Sequence, residues 1–212
     1  EIAQCLVGSE MCIRDRHQGV DYLAVAFADE GVLLRERGIT MPVVVLNADA
    51  DSFDAMAANR LEPEIYSLRS LHEFAAAVER YGEQRYPIHV KLDTGMHRLG
   101  FVEEELPALL DALARYGRTV RVASVFAHLC TSDDPAQDDF TRLQIARFDR
   151  MSSRIAEALP YPVLRHTANS AAIERFPEAQ YDMCRLGLGL YGFGWEHNAG
   201  LRLIKGPGLW YN

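Results

Sequence analysis

The sequence predicts an α/β protein built as an incomplete (β/α)8 barrel of the TIM type. From residue 19 onward, short apolar or β-branched runs alternate with longer segments of helical spacing, and no long linker interrupts them. Seven strand candidates begin at Tyr22, Val43, Pro63, Ile88, Val122, Val163 and Asp182. Seven βα repeats favour a barrel that lacks one strand, and an open doubly wound sheet is the alternative.

Four helix candidates lie between these strands and carry start or stop signals. Asp29 and Ser70 precede the first two as predicted N-caps, and Pro160 follows the fourth. The candidates cover residues 30–38, 71–82, 103–116 and 139–159. Their regular alternation with the strand candidates indicates a parallel sheet flanked by helices.

The composition indicates a protein that acts on small molecules. The net charge is −8, from 30 acidic and 22 basic residues, and no basic run is interleaved with aromatic residues, so we expect neither a nucleic-acid nor a membrane partner. No apolar run approaches the roughly 20 residues of a membrane span, and the first residues lack the order of a signal peptide. The four cysteines show no C-x-x-C spacing, which predicts reduced thiols, no metal site and a cytoplasmic location.

Polar residues cluster where the later strand candidates end. Because the carboxyl ends of strands form the active-site face of α/β folds, this clustering predicts a site there, whereas a lone histidine would indicate only a satisfied hydrogen bond. The residues concerned are Lys91, Asp93, His128, His166, Asn169, Ser170, Arg185 and Gly187.

Lys91 and the glycines near the end of the last strand candidate suggest an anion site. Strand alternation directs Lys91 into the barrel if its apolar neighbours face the helices, and a buried lysine is costly unless it is paired or chemically altered. Arg98 returns a second cation to the same region, and two cations need an anion between them. Gly187 and Gly189 allow backbone N–H groups to approach a phosphate, although such glycines more often mark a turn.

Four blocks resemble, in order and at plausible spacing, the bacterial alanine racemases: "VKLDTGMHRLGF", "FAHLCTSDD", "RHTANSAAIERFPE" and "DMCRLGLGLYGFG". The resemblance implies a pyridoxal 5'-phosphate enzyme with an N-terminal barrel and a C-terminal β domain. Residues 17–194 are then the cofactor-binding barrel without its first strand, and residues 195–212 are a stub towards the missing second domain. Residues 1–16 resemble translated sequencing adapter, are predicted to be non-native and are excluded from the fold prediction.

The resemblance also implies which residues hold the cofactor. His128 would pack against the pyridine ring, and Ser170 with the backbone N–H groups of Gly187 and Leu188 would hold the phosphate. Arg185 would donate to the pyridine nitrogen, with His166 behind it. The full implied set of cofactor-binding residues is His128, His166, Asn169, Ser170, Arg185, Gly187 and Leu188. A guanidinium stays protonated, so this donor would leave the pyridine nitrogen largely unprotonated.

Arg98 is implied to bind the phenolic oxygen of the cofactor and the carboxylate of alanine. Lys91 matches the lysine that is often carbamylated in this family, and its new negative charge would pair with Arg98. The cofactor-bearing lysine of a "VVKANAYGHG"-like block is missing, since the only other lysine is Lys205. The second base is a tyrosine from the partner subunit of a homodimer, and Tyr211 has no supporting motif.

The expected activity of the parent enzyme is therefore interconversion of L-alanine and D-alanine by two bases, which supplies D-alanine for peptidoglycan. We expect this chain to be inactive alone because no catalytic base is present. Two alternatives remain: another barrel-type amino-acid racemase that uses the same cofactor, and a non-catalytic barrel protein that only binds it.

Overall fold

A computed structural model describes residues 4–6 and 20–191, which contain seven strands and six α-helices. The strands are β1 (Gln4–Leu6), β2 (Tyr22–Val25), β3 (Val43–Val45), β4 (Glu62–Ile65), β5 (Tyr86–Lys91), β6 (Val120–Phe126) and β7 (Leu164–His166). The helices are α1 (Ala28–Glu36), α2 (Phe53–Ala58), α3 (Leu68–Arg80), α4 (Leu106–Arg115), α5 (Asp138–Ala158) and α6 (Ser170–Arg175). Among these described residues, no helix combines the length and the apolar character needed to cross a membrane.

All seven strands form one parallel sheet whose spatial order is the chain order, β1 to β7. A doubly wound sheet reverses its strand order at a switch point, whereas a barrel adds each strand beside the previous one. The consecutive order therefore decides between the two predicted architectures. The protein is an incomplete (β/α)8 barrel, as the sequence predicts.

Two predicted strand assignments differ from the structure. Gln4–Leu6 lie in the segment that was excluded from the fold prediction, yet they form β1 and pair with β2. The candidate strand at Asp182 forms no continuous ladder: its hydrogen bonds to the β7 region are single ones, and Leu188–Tyr191 form a 3-10 helix. The two glycines in this segment lower its strand propensity, which agrees with its failure to extend the sheet.

The helices are close to their predicted positions, with shifts at their ends. Ser67, not Ser70, is the N-cap of α3, because the Ser67 hydroxyl accepts from the backbone N–H of Ser70. Residues 103–105 form a 3-10 turn before α4. Two short helices, α2 and α6, were not predicted, and at six residues each they are too short to show helical periodicity.

The two faces of the sheet differ in chemistry. Ile88 and Val90 of β5 belong to the main hydrophobic core, together with side chains of the helices. His89 and Lys91 lie on the opposite face, which we call the inner face, and they contact acidic residues of β4. This alternation directs Lys91 inward, as predicted, and gives the sheet a polar inner face beneath the carboxyl ends of the strands.

Candidate active site

A cavity of about 520 Å³ lies at the carboxyl ends of the strands. It is lined by eight of the nine residues that the sequence singles out: Lys91, Arg98, His128, Asn169, Ser170, Arg185, Gly187 and Leu188. The ninth, His166, lies behind Arg185 and bonds to it. The remaining lining residues are Ala26, Leu46, Asn47, Leu99, Phe126, Leu129, Cys130, Asp133 and Ala171.

Arg185 is held rigidly by the strands around it although it has almost no contact with solvent. Its Nη1 lies 2.8 Å from Nδ1 of His166, and its Nη2 donates to the carbonyl oxygens of Ala127 and Thr167 at 2.7 and 3.0 Å. Burial lowers the pKa of Arg185 to about 10, and because this value is still well above neutral pH, the guanidinium remains charged there. A fixed cationic donor therefore borders the cavity.

Ser170 and the last glycines form a compact polar corner of the cavity. The Ser170 hydroxyl oxygen accepts from the backbone N–H groups of Gly187 and Gly189, both at 3.0 Å. Gly187 and Leu188 line the cavity beside it. A hydroxyl and backbone N–H groups are the kinds of donor that phosphate oxygens bind, and here the N–H groups of Gly187 and Gly189 are occupied by the Ser170 oxygen.

Asn169 supports this corner through its side chain, which bonds to two backbone groups and to one hydroxyl. Its Oδ1 accepts from the N–H of Ala172 and from the hydroxyl of Ser132, and its Nδ2 donates to the carbonyl of Leu129. These bonds tie the loop after β6 to the start of α6. The side chain of Asn169, which the sequence analysis assigned to the cofactor, thus fixes the loop after β6 and the first turn of α6.

His128 is neutral at working pH. Burial lowers its pKa to about 3, and the positive charges of Arg185, Arg98 and Lys91 act in the same direction. A neutral imidazole at the cavity wall offers a flat ring without adding a fourth cation. This suits packing against an aromatic ligand.

The loop after β5 places Arg98 at the cavity. Asp93 Oδ1 accepts from the backbone N–H groups of Gly95 and His97, and Phe101 returns the chain to β5 by bonding the Lys91 carbonyl. These backbone bonds to Asp93 lower the pKa of its carboxyl despite partial burial. Arg98 is exposed and makes no hydrogen bond or ion pair within residues 20–191. Its guanidinium is therefore available to a ligand.

Lys91 has a partner that the sequence analysis did not identify. Its Nζ lies 3.0 and 3.2 Å from the two carboxylate oxygens of Glu64, a residue of β4 with no exposed surface. Burial lowers the pKa of Lys91 and raises that of Glu64, while each partner opposes the shift of the other. The sequence did contain a signal for this partner. Glu62 and Glu64 are acids two residues apart in the buried strand β4, so both face the same side of the sheet as the cations.

The charges around the cavity favour an anionic ligand. Lys91, Arg98 and Arg185 supply three positive charges, and Glu64 and the exposed Asp133 supply two negative ones. Within the described part of the chain, no group of three His, Cys, Asp or Glu side chains is placed to hold a metal ion. The donors at Ser170 and Arg185 are therefore arranged for a ligand with anionic and hydrogen-bond-accepting groups.

Comparison of the chain with known proteins finds one matching family. Residues 6–194 match the family model described as alanine racemase, N-terminal domain. The alanine racemase of Symbiobacterium thermophilum is 38% identical over 178 residues, which cover 82% of this chain and 46% of that protein. The chain thus spans about half the length of the curated relatives it matches.

Solved structures agree with the match. The alanine racemase of Streptomyces lavendulae, a producer of D-cycloserine, superposes with a TM-score of 0.82 at 27% identity, over 91% of this chain and 53% of that one. The enzyme of Bartonella henselae, solved with covalently bound pyridoxal phosphate, has a TM-score of 0.77 over 93% of this chain and 58% of that one. At 20% identity, this second likeness supports the fold alone.

Proposed function

The chain belongs to the alanine racemase family, and from that premise we propose that it forms the pyridoxal 5'-phosphate-binding barrel of an enzyme that interconverts L-alanine and D-alanine. The observation that carries the proposal is the cavity in which Arg185, Ser170 and Arg98 meet. D-alanine made by such an enzyme would serve peptidoglycan synthesis, and the complete enzyme would be a cytoplasmic homodimer.

The residues present fit this cofactor. The corner of Ser170, Gly187 and Leu188 would take its phosphate, Arg185 would donate to its pyridine nitrogen, and neutral His128 would pack against its ring. Asn169 would support the phosphate corner and His166 would hold Arg185. When bound, pyridoxal phosphate supplies an electron-withdrawing ring that acidifies the α-hydrogen of an amino acid.

The residues of this chain bind and orient the reactants. Arg98, which has a free guanidinium, would pair with the carboxylate of alanine and hold the α-carbon in place. Arg185 keeps its proton at any working pH, so it donates a hydrogen bond without protonating the ring. The positive charges of Arg98 and Arg185 would favour an anionic carboxylate in the cavity, whereas the charge of Lys91 is offset by Glu64.

We further propose that neither base needed for racemisation lies in this chain. Proton removal and return on opposite faces need one base on each face. Lys91 is engaged by Glu64 on the inner face, and Lys205 lies outside the described residues. Tyr211, which also lies outside them, has no motif that supports a catalytic role.

A binding and turnover experiment on the purified 212-residue chain tests both parts. We expect pyridoxal 5'-phosphate to bind and pyridoxal to bind far more weakly, since the phosphate corner has no partner in pyridoxal. Ser170→Ala should weaken binding by about 10-fold or more, because a hydrogen bond to a charged group contributes about 1.5–3 kcal/mol. Equal affinity for the two compounds would refute the cofactor site, and D-alanine formation by the chain would refute the missing bases. Ser153→Ala, a substitution on the outer helix α5, is the matched control.

Carbamylation of Lys91, which the resemblance implies, stays a prediction. A carbamate carbon in the ¹³C NMR spectrum of protein equilibrated with ¹³C-bicarbonate, lost in Lys91→Arg, would support it. Absence of that signal would refute carbamylation and leave Lys91 as the unmodified partner of Glu64. Reductive trapping of the cofactor on Lys91 would contradict both assignments.

A further inference from the structure

Five buried polar side chains form a continuous hydrogen-bond chain across the inner face of the barrel. Glu62 Oε2 lies 2.7 Å from His89 Nε2, and His89 Nδ1 lies 2.6 Å from the hydroxyl oxygen of Ser124. That oxygen lies 2.9 Å from His166 Nε2, and His166 Nδ1 lies 2.8 Å from Arg185 Nη1. The chain joins the start of β4 to the cavity wall through β5, β6 and β7, and each member is at most 8% exposed.

The donors and acceptors in this chain have only one consistent order when both imidazoles are neutral. A guanidinium can only donate, so Nδ1 of His166 accepts and its Nε2–H donates to Ser124. The Ser124 hydroxyl then donates to Nδ1 of His89. The remaining Nε2–H of His89 donates to Glu62, whose carboxylate can only accept. Arg185 and Glu62 thus set the tautomers of both histidines from opposite ends.

Glu62 matters because the reverse order would place two donors against each other. If the acceptor at Glu62 were lost, His89 could turn its protonated nitrogen towards Ser124, and His166 would then carry its proton on Nδ1. That proton would point at Nη1 of Arg185, which lies 2.8 Å from Nδ1 of His166 and also carries hydrogen. Buried groups have no water to relieve such a clash, so the acceptor at the far end of the chain protects the position of Arg185.

The second acid of β4 makes a natural comparison. Glu64 lies two residues further along the same strand and is also buried, 0% exposed against 8% for Glu62, but its carboxylate bonds Lys91 and has no part in the chain. The two acids therefore separate the effect of a buried carboxylate as such from the effect of this particular chain.

We propose that Glu62 is a positioning residue for Arg185, acting through His89, Ser124 and His166. It holds His166 in the tautomer whose Nδ1 accepts from Arg185, and so presents the guanidinium to a ligand with a ring-nitrogen acceptor. This inference rests on the proposed function for the identity of that ligand. The order of protons along the chain does not depend on it.

Histidine tautomers, read by ¹⁵N NMR on the full chain, test the proposal without any ligand. In the unsubstituted protein we expect His89 and His166 each to carry a single proton on Nε2. In Glu62→Gln the carboxamide can donate as well as accept, so we expect His89 to populate both tautomers. Glu64→Gln should leave both histidines in the Nε2–H form. A proton on Nδ1 of either histidine in the unsubstituted protein would overturn the proposal even if neither variant folds.

The effect on Arg185 is measured by comparing two ligands. Pyridoxal 5'-phosphate and its analogue with carbon in place of the pyridine nitrogen differ only in the atom that Arg185 would bond. The ratio of their affinities should fall towards one in Glu62→Gln. Glu64→Gln removes a negative charge beside Lys91 and so changes the affinity of both compounds, but it should leave their ratio unchanged. An unchanged ratio and unchanged tautomers in Glu62→Gln, or an equal change in both variants, would refute the role of Glu62. If the unsubstituted chain binds neither compound, the proposed function fails while the tautomer result still stands.

Discussion

Replacing Ser124 by alanine should cost this barrel more stability than the loss of one oxygen atom suggests. The Ser124 hydroxyl is fully buried on the inner face and stands between two histidines, accepting from His166 and donating to His89. Alanine fits the same space, so no steric strain is added. The substitution instead leaves the Nε2–H of His166 without an acceptor and Nδ1 of His89 without a donor.

The expected cost follows from counting these unpaired groups. A buried donor or acceptor that loses its partner costs about 1–3 kcal/mol, so two of them should lower the free energy of unfolding by about 2–6 kcal/mol. His89 and His166 are 1% and 2% exposed, which leaves no route for bulk water to restore the bonds. The loss is therefore a large fraction of the stability of an ordinary domain.

Urea unfolding followed by circular dichroism measures the cost, and Ser153→Ala is the control. Ser153 lies on the outer side of α5 and is partly exposed, so its replacement should change the free energy of unfolding by no more than about 0.5 kcal/mol. The hydrogen-bond chain also predicts that ¹⁵N NMR of Ser124→Ala shows altered histidine tautomers. A loss below about 1 kcal/mol together with unchanged tautomers would refute the reasoning.

Two further predictions concern the loop after β5 and the pH dependence of stability. Gly100→Ala should lower the free energy of unfolding by about 3 kcal/mol, because Gly100 has φ of 126° and a Cβ there would meet a backbone atom of Leu92 at 2.7 Å. Gly38 also has a positive φ, 81°, but has open space around it, so Gly38→Ala should cost only about 1 kcal/mol in the same urea assay. Comparable losses would exclude the steric argument. His128 has a folded-state pKa of about 3, so the unfolded chain binds its proton first as pH falls below about 6.5, and stability should decrease from there towards pH 3. His128→Asn should flatten that decrease in urea midpoints, and an unchanged slope would contradict the assignment of a partly buried, neutral imidazole.

Much of the fold and of the site follows from local patterns in the sequence. Alternation along "HVKLD" directs Lys91 inward, and its place at the end of β5 puts it beside the other strand-end residues. The same logic brings eight predicted residues to one cavity. Local signals were weakest at the ends of the sheet, where Gln4–Leu6 form a strand and the segment after Asp182 does not.

The sequence by itself determined the βα alternation, the inward face of β5 and the family, because these depend on periodicity and on residues close together in the chain. Only the tertiary structure decided which polar side chains pair with each other on the inner face. His89 lies opposite Ser124 because the register between β5 and β6 shifts at Ile88 and His89, and Lys91 meets Glu64 across 27 residues of chain. Register and strand order depend on the packing of the whole sheet, so the partners of the buried polar residues became visible only when the barrel was assembled.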